Sequence, residues 1–287
     1  LVRNPTLFDG SRESSSTYWL TREQEFEYLY GINSVQIALN TNRRTLEKIY
    51  ITDSEGTRQN PRITNIIHRC KKLAVDIEFV RKESINASAL ANPIKMLAEV
   101  LTVALRRFAG STSSLTQPTD IPDRGLCVYL DQITDPQNFG AIIRSCYYFQ
   151  IGCLLVGSKN RCPLNSTVSK TSSGALELID IHSVADPLGF IQKWKHQGQV
   201  ICTGTKQTNT KVPLVTLHGF RKELTELKNK LVLIGSEGSG VSPHLARESD
   251  LVLTISKRSP DDFPSSLVDS LNVNAAVSTI LFELTRA

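Results

Sequence analysis

A chain of 287 residues with 40% apolar and 21% charged positions has the make-up of a globular protein large enough for two domains and a sizeable core. No apolar run approaches the ~20 residues of a membrane span, and no secretory signal precedes the first polar stretch. The six cysteines (Cys70, Cys127, Cys146, Cys153, Cys162, Cys202) show neither CxxC pairing nor a His-bearing ligand spacing, so they read as free, buried thiols and no metal is expected.

The net charge of +5 is unevenly spread. Residues 41–110 hold 13 Lys/Arg against 7 Asp/Glu, a net of +6, whereas 1–40 carry 3 against 5 and 111–287 carry 17 against 16. A basic block is an electrostatic footprint for a polyanion, and equally the pattern of a solvated basic face.

Residues 1–20, poor in apolar content and containing Ser14–Thr17, read as a tail. From Thr21 a helix is expected, with Phe26, Leu29 and Tyr30 as its stripe, ending at Gly31. Ser34 is the candidate cap of the next helix, followed by a strand at Leu46–Thr52 and a polar loop from Asp53 to Pro61. Ile63, Ile66, Ile67, Cys70 and Leu73 recur at helical spacing, with Arg62, Arg69, Lys71 and Lys72 on the other face. Val75–Val80 reads as a strand. Leu97–Leu105 fits helix or strand equally.

Residues 110–125, rich in Ser, Thr, Pro and Gly, read as a linker between domains 21–109 and 126–287. Beyond it, strands at Leu126–Asp131, Cys153–Val156, Leu178–Ile181, Gln199–Thr203, Leu231–Ile234 and Leu251–Ile255 alternate with helices. Those helices are placed at Asn138–Phe149, from Val168, at Leu188–Gln197, Phe220–Lys228 and Asn272–Leu284. The alternation predicts an α/β fold with a parallel sheet covered on both faces, the last strand closing it. Ligands of such sheets sit outside the carboxyl ends of the strands.

Three polar clusters fall at those ends. Asn138, Gly140 and Arg144 follow the first strand of the second domain. Glu237 lies in Gly235-Ser-Glu-Gly-Ser-Gly240, a loop that is neither a phosphate-binding P-loop nor a dinucleotide fingerprint. Ser270, Leu271, Asn272 and Asn274 open the terminal helix. Taken singly, each also fits plain caps and turns.

Taken jointly, the three clusters resemble the three motifs of the SpoU (TrmH-like) RNA ribose 2′-O-methyltransferases of the SPOUT class. The matching stretches are NFGAIIR (138–144), LIGSEGSGVS (233–242) and DSLNVNAA (269–276). The basic first domain resembles the L30e-like RNA-binding domain found ahead of the catalytic domain in many members. Within the family the chain is most similar to the mitochondrial ribosomal-RNA methyltransferase 1 group and its bacterial 23S guanosine relatives, as Cys162-Pro-Leu and Val168–Ala175 agree. A His-Gln-Gly turn that relatives carry near the domain junction is absent from residues 84–110.

The resemblance implies a SPOUT α/β domain tied in a deep trefoil knot, an exception to unknotted topology, homodimeric through that domain, with S-adenosyl-L-methionine as cofactor. By motif, Thr203, Gly204, Thr205, Gly235, Gly238, Ile255, Leu271 and Asn272 would bind the cofactor. Arg144, Asn138, Glu237, Ser270 and Asn272 would act in catalysis. The implied substrate is a guanosine ribose of large-subunit ribosomal RNA and the implied location the mitochondrial matrix, or the cytoplasm of a bacterium. The chain opens on Leu1 rather than Met, as expected of one whose leader is removed or that begins late. A ribose 2′-hydroxyl must lose its proton as it attacks. Arg144 is the family's activating residue, although a guanidinium rarely gives up a proton, so base and oxyanion stabiliser both stay open. A tRNA ribose methyltransferase of the same fold is the second reading, and an inactive RNA-binding assembly factor the third.

Overall fold

The computed structural model describes residues 27–81, 100–104, 114–121, 125–204, 212–217, 229–256 and 270–286. The expected tail (1–20), the start of the first expected helix, the helix at 220–228 and Thr205 lie outside these residues.

The N-terminal unit holds β1 (Glu27–Tyr30), α1 (Ile32–Thr41), β2 (Leu46–Thr52), α2 (Glu55–Gln59), α3 (Pro61–Leu73), β3 (Asp76–Val80) and β4 (Val100–Ala104). Its sheet runs β1-β4-β2-β3, with only β2 and β3 parallel. The expected helix around Leu29 and Tyr30 is a strand instead. Four residues are too few to separate helical from strand periodicity, and antiparallel pairing with β4 decides it. The same pairing makes Val100–Ala104, within the ambiguous stretch, a strand. Ser34 does not cap α1; Gly31 holds that position with φ 90°, and Ser34 is buried in the first turn. The polar loop contains α2, capped by the Ser54 side chain accepting from the Thr57 amide. Leu29, Val35, Leu39, Ile49, Ile51, Ile63, Ile66 and Cys70 form this unit's core.

The C-terminal unit is an eight-stranded sheet in which every neighbouring pair is parallel. Its strands are β5 (Ser114–Leu115), β6 (Leu126–Leu130), β7 (Cys153–Gly157), β8 (Ile181–Val184), β9 (Gln199–Thr203), β10 (Leu214–Thr216), β11 (Lys230–Ile234) and β12 (Leu251–Thr254). The order is β10-β12-β9-β11-β6-β7-β8-β5. Two expectations are corrected. The last strand is flanked by β10 and β9 and does not close the sheet. The strand placed at Leu178–Ile181 begins at its final residue, because a 3-10 turn takes Ala175–Glu177. Within the expected linker, Ser114 and Leu115 hydrogen-bond onto β8 as an edge strand.

Continuous apolar strands bury both faces. Val128, Leu130, Leu154, Val156, Val232 and Ile234 point one way, towards α4 (Pro136–Tyr148) and α8 (Val273–Thr285). Cys127, Tyr129, Leu155, Leu231 and Leu233 point the other way, towards Phe190, Ile191 and Trp194 of α6 (Pro187–Trp194) and Leu245 of α7 (Pro243–Ala246).

The two units meet where α1 rests on α5 (Ser166–Thr171) and the 3-10 turn after it. Arg44 donates from Nε and a terminal nitrogen to both oxygens of Glu177, each at 2.9 Å, with both side chains fully buried. The Ser169 hydroxyl donates to Glu177 at 3.2 Å, and the Ser34 hydroxyl to the Ser169 carbonyl at 3.0 Å. Two glycines let the units approach: Gly31 lies under the Lys170 side chain, and Gly174 (φ 87°) under Ile37.

Candidate active site

The central strands β9, β11 and β6 release their loops side by side at the carboxyl edge of the sheet, with β12 next to β9. After β6, the buried Asp131 takes the backbone amide of Ser242 on its Oδ2 at 2.6 Å, and its own amide donates to the Ile234 carbonyl. One carboxylate thus ties the first loop to the glycine loop. Burial, reinforced by the Asp131 charge, pushes the neighbouring Tyr129 phenol far above its usual range and keeps it neutral.

Helix α4 starts two residues earlier than expected. Asp135 caps it, accepting from the amides of Gln137 and Asn138 at 2.9 and 2.8 Å, and Pro136 fills the first helical position. Asn138 is therefore not the cap, and its side chain is left to face α8. The glycine loop folds on itself: the Gly240 amide donates to the Ser236 carbonyl at 2.9 Å and the two hydroxyls of Ser236 and Ser239 pair at 2.7 Å. A Cβ on Gly235 would overlap the Gly240 and Val241 backbone, so that position admits glycine alone. Gly238 has nothing within 4 Å of where a Cβ would stand.

These loops bring three of the expected residues into direct contact. Asn272 donates from Nδ2 to Glu237 Oε1 at 2.5 Å and to Asn138 Oδ1 at 3.1 Å, while its Oδ1 accepts the Asn274 amide at 3.0 Å. Glu237 Oε1 also accepts the Val273 amide at 3.1 Å. Asn272 is thus both the cap of α8 and the hub of the cluster. The Glu237 carboxylate sits on the positive N-terminal end of α8, not on the helix that follows its own loop. Asn274 Nδ2 reaches Asn138 Oδ1 at 3.3 Å. Farther along the same two helices, the Ser145 and Ser278 hydroxyls pair at 2.8 Å.

The remaining expected residues are placed as follows. Arg144 is exposed on α4, six residues and roughly 9 Å of helix rise past Asn138, and makes no hydrogen bond or ion pair with another described residue. Ser270 and Leu271 are exposed immediately before the cluster, Leu271 at 52%. The Thr203 hydroxyl is taken by the Leu233 carbonyl at 2.9 Å, and the Gly204 amide by Leu253 at 3.1 Å. Ile255 is half-buried against the core. Sequence reasoning missed Asp131 and Asp135, and placed Asn274 in the third cluster without giving it a role. The Asp-Pro pair was the available signal for Asp135; nothing local marks the long-range bond of Asp131.

Chemically, the cluster offers a fixed carboxylate and oriented amides, which suits holding and polarising a hydroxyl. Among the described residues no group of His, Cys, Asp or Glu has the arrangement of a metal site.

Comparison with known proteins agrees with the motifs. The model of the SpoU rRNA Methylase family matches residues 125–282, and that of RNA 2'-O ribose methyltransferase substrate binding matches residues 28–100. The chain is 31% identical over 291 residues to rRNA methyltransferase 1, mitochondrial, of Saccharomyces cerevisiae, covering 89% of this chain and 69% of the yeast protein. It is 26% identical over 264 residues to the 23S rRNA (guanosine-2'-O-)-methyltransferase RlmB of Pasteurella multocida, covering 91% and 98%. The crystal structure of the SpoU methyltransferase AviRb from Streptomyces viridochromogenes in complex with AdoMet shares the fold, with a TM-score of 0.65 at 18% identity over 93% and 94% of the two chains. With over half of its residues matched, in the segment that supplies Asn138, Glu237, Asn272 and Asn274, the chain belongs to the SpoU rRNA methylase family.

Proposed function

We propose that the chain methylates the 2′-hydroxyl of a guanosine ribose in large-subunit ribosomal RNA of mitochondria, using S-adenosylmethionine. The convergence of Asn138, Glu237 and Asn272 from three distant segments carries this reading. The mitochondrial yeast relative supports the location, and the bacterial relative the guanosine 2′-oxygen.

The residues fit the cofactor. Gly238 is bare and Leu271 offers an exposed apolar side chain, and these two flank the Glu237–Asn272 bond on either side. Thr203, Gly204 and Ile255, at the ends of β9 and β12, would complete its cradle with Gly235. When bound, the cofactor supplies a methyl group already activated by a sulfonium. What the protein must add is orientation of the ribose and handling of the hydroxyl proton. Asn138 and Asn272 orient; Glu237 fixes Asn272 and the start of α8. Arg144, long and exposed on α4, meets the ribose oxygen or its developing charge. The dimer and the trefoil knot of the SPOUT class belong to the same proposal. Support for the dimer comes from exposed Tyr147 and Tyr148 on α4 and exposed Phe282 on α8.

The test is methyl transfer by the full chain to unmodified large-subunit rRNA and tRNA transcripts in parallel, with the product nucleoside mapped by mass spectrometry. A 2′-O-methylguanosine in rRNA alone is expected. Modification of tRNA alone would favour the second reading, and no transfer to either would refute the proposal.

A further inference from the structure

Between α1 and α3 of the N-terminal unit runs a half-open groove of about 230 Å3. Its floor is the buried pair Leu39 and Ile66, and its walls are polar. Gln36 and Asn40 stand one turn apart on α1; Asn65, His68, Arg69 and Lys72 follow at i, i+3, i+4 and i+7 along α3. Among the described residues no carboxylate lines the groove. Arg69 donates from Nε to the Leu39 carbonyl on the facing helix at 3.4 Å, which holds its guanidinium across the groove.

The composition points to a particular ligand. Amides on both walls present donors and acceptors together, as the edge of an unpaired base requires, and two cations supply what neighbouring phosphates require. The volume is below the ~300–1,000 Å3 of pockets that enclose drug-sized molecules, so the groove is too small to enclose such a ligand whole. Helix α1 also carries Asn33, Ser34 and Ile37, which abut the C-terminal unit at Gly174 and Ser169. A group held here sits at a set offset from the Asn138–Asn272 cluster.

Building on the methyltransferase reading above, we propose that the α1–α3 groove holds one unpaired nucleotide of the substrate RNA. Gln36, Asn40 and Asn65 contact the base edge, and Arg69 and Lys72 contact the flanking phosphates. The groove thereby selects which ribose reaches the catalytic cluster.

Two double variants of the full chain test this. Arg69→Gln with Lys72→Gln should weaken binding of the rRNA transcript at least tenfold and lower the slope of log affinity against log salt by about 2, one for each lost phosphate contact. Asn40→Ala with Asn65→Ala should leave that slope unchanged and flatten the preference between the transcript and versions carrying single substitutions at its unpaired nucleotides. Circular dichroism and urea unfolding at the wild-type midpoint show that each variant is folded, the N-terminal unit included. A 4-thiouridine-bearing transcript should crosslink to peptides spanning 36–40 or 65–72. Wild-type binding and selectivity in both variants would overturn the groove even where the unaltered protein methylates rRNA. So would a salt-slope change with no effect of the amide pair, which would leave only a basic face. Failure of the unaltered protein to methylate any RNA would instead refute the activity, since the binding measurements need no turnover.

Discussion

Arg44 and Glu177, 133 positions apart, form a two-pronged ion pair in which neither side chain touches solvent. Burying two charges is worth little net stability, but removing one partner strands the other. Arg44→Met or Glu177→Leu alone should cost ~3–5 kcal/mol. The double substitution should recover most of that loss. Urea unfolding of the four proteins, compared as a double-mutant cycle, measures it; additive losses would show that the pair is not coupled.

Glu237 binds Asn272 and the Val273 amide with a single oxygen. Glu237→Gln keeps an acceptor there but removes the charge from the α8 N-terminus. Its stability loss should stay within the ~0.3–1 kcal/mol of such a dipole interaction. Glu237→Ala also frees Asn272 to turn and should lower methyl transfer tenfold or more, with thermal unfolding and turnover measured side by side.

Gly235 and Gly238 stand three residues apart and should respond oppositely. Gly235→Ala forces the Gly240–Val241 backbone aside and should lower the melting temperature by several degrees. Gly238→Ala meets open space, so its melting point should hold while affinity for S-adenosylmethionine falls. Unchanged affinity would remove Gly238 from the cofactor site.

Arg144 makes no bond to the cluster in the free chain. Arg144→Ala should therefore leave folding and cofactor affinity intact and lower kcat at least a hundredfold, as loss of a charge-stabilising donor does. A lysine there should restore only part, since it lacks the fork geometry.

All six thiols are free and buried. Burial pushes Cys70 and Cys202 up to about 11 and Cys146 and Cys162 up to about 12. An unfolded thiol ionises near 9, so the native state binds more protons above that pH, and stability should decline from pH ~9 towards 12. The contribution is fully present below 9. Unfolding midpoints at pH 7.5 and 10 check the sign; native-state alkylation at pH 7.5 should label none of the six.

Much of the fold was legible in the sequence because a parallel sheet needs continuous apolar runs, and Leu126–Leu130 and Leu231–Ile234 are too short for buried helices and are bounded by glycine or polar residues. The glycine loop and the Asn-rich helix start each read alone as a turn or a cap, and pointed to chemistry only when taken together with Asn138–Arg144. What escaped reading depends on partners far along the chain. Leu29 and Tyr30 became a strand through β4, Ser114–Leu115 through β8, and Asp131 acquired its role from Ser242, 111 residues away. The Arg44–Glu177 pair was invisible for the same reason: each residue alone reads as an ordinary surface charge.

The reciprocal glycines at the seam have a last implication. Gly31 is roofed by a side chain of the C-terminal unit and Gly174 by one of the N-terminal unit, so each unit supplies both a socket and a plug. A joint interlocked in both directions resists sliding as well as rotation.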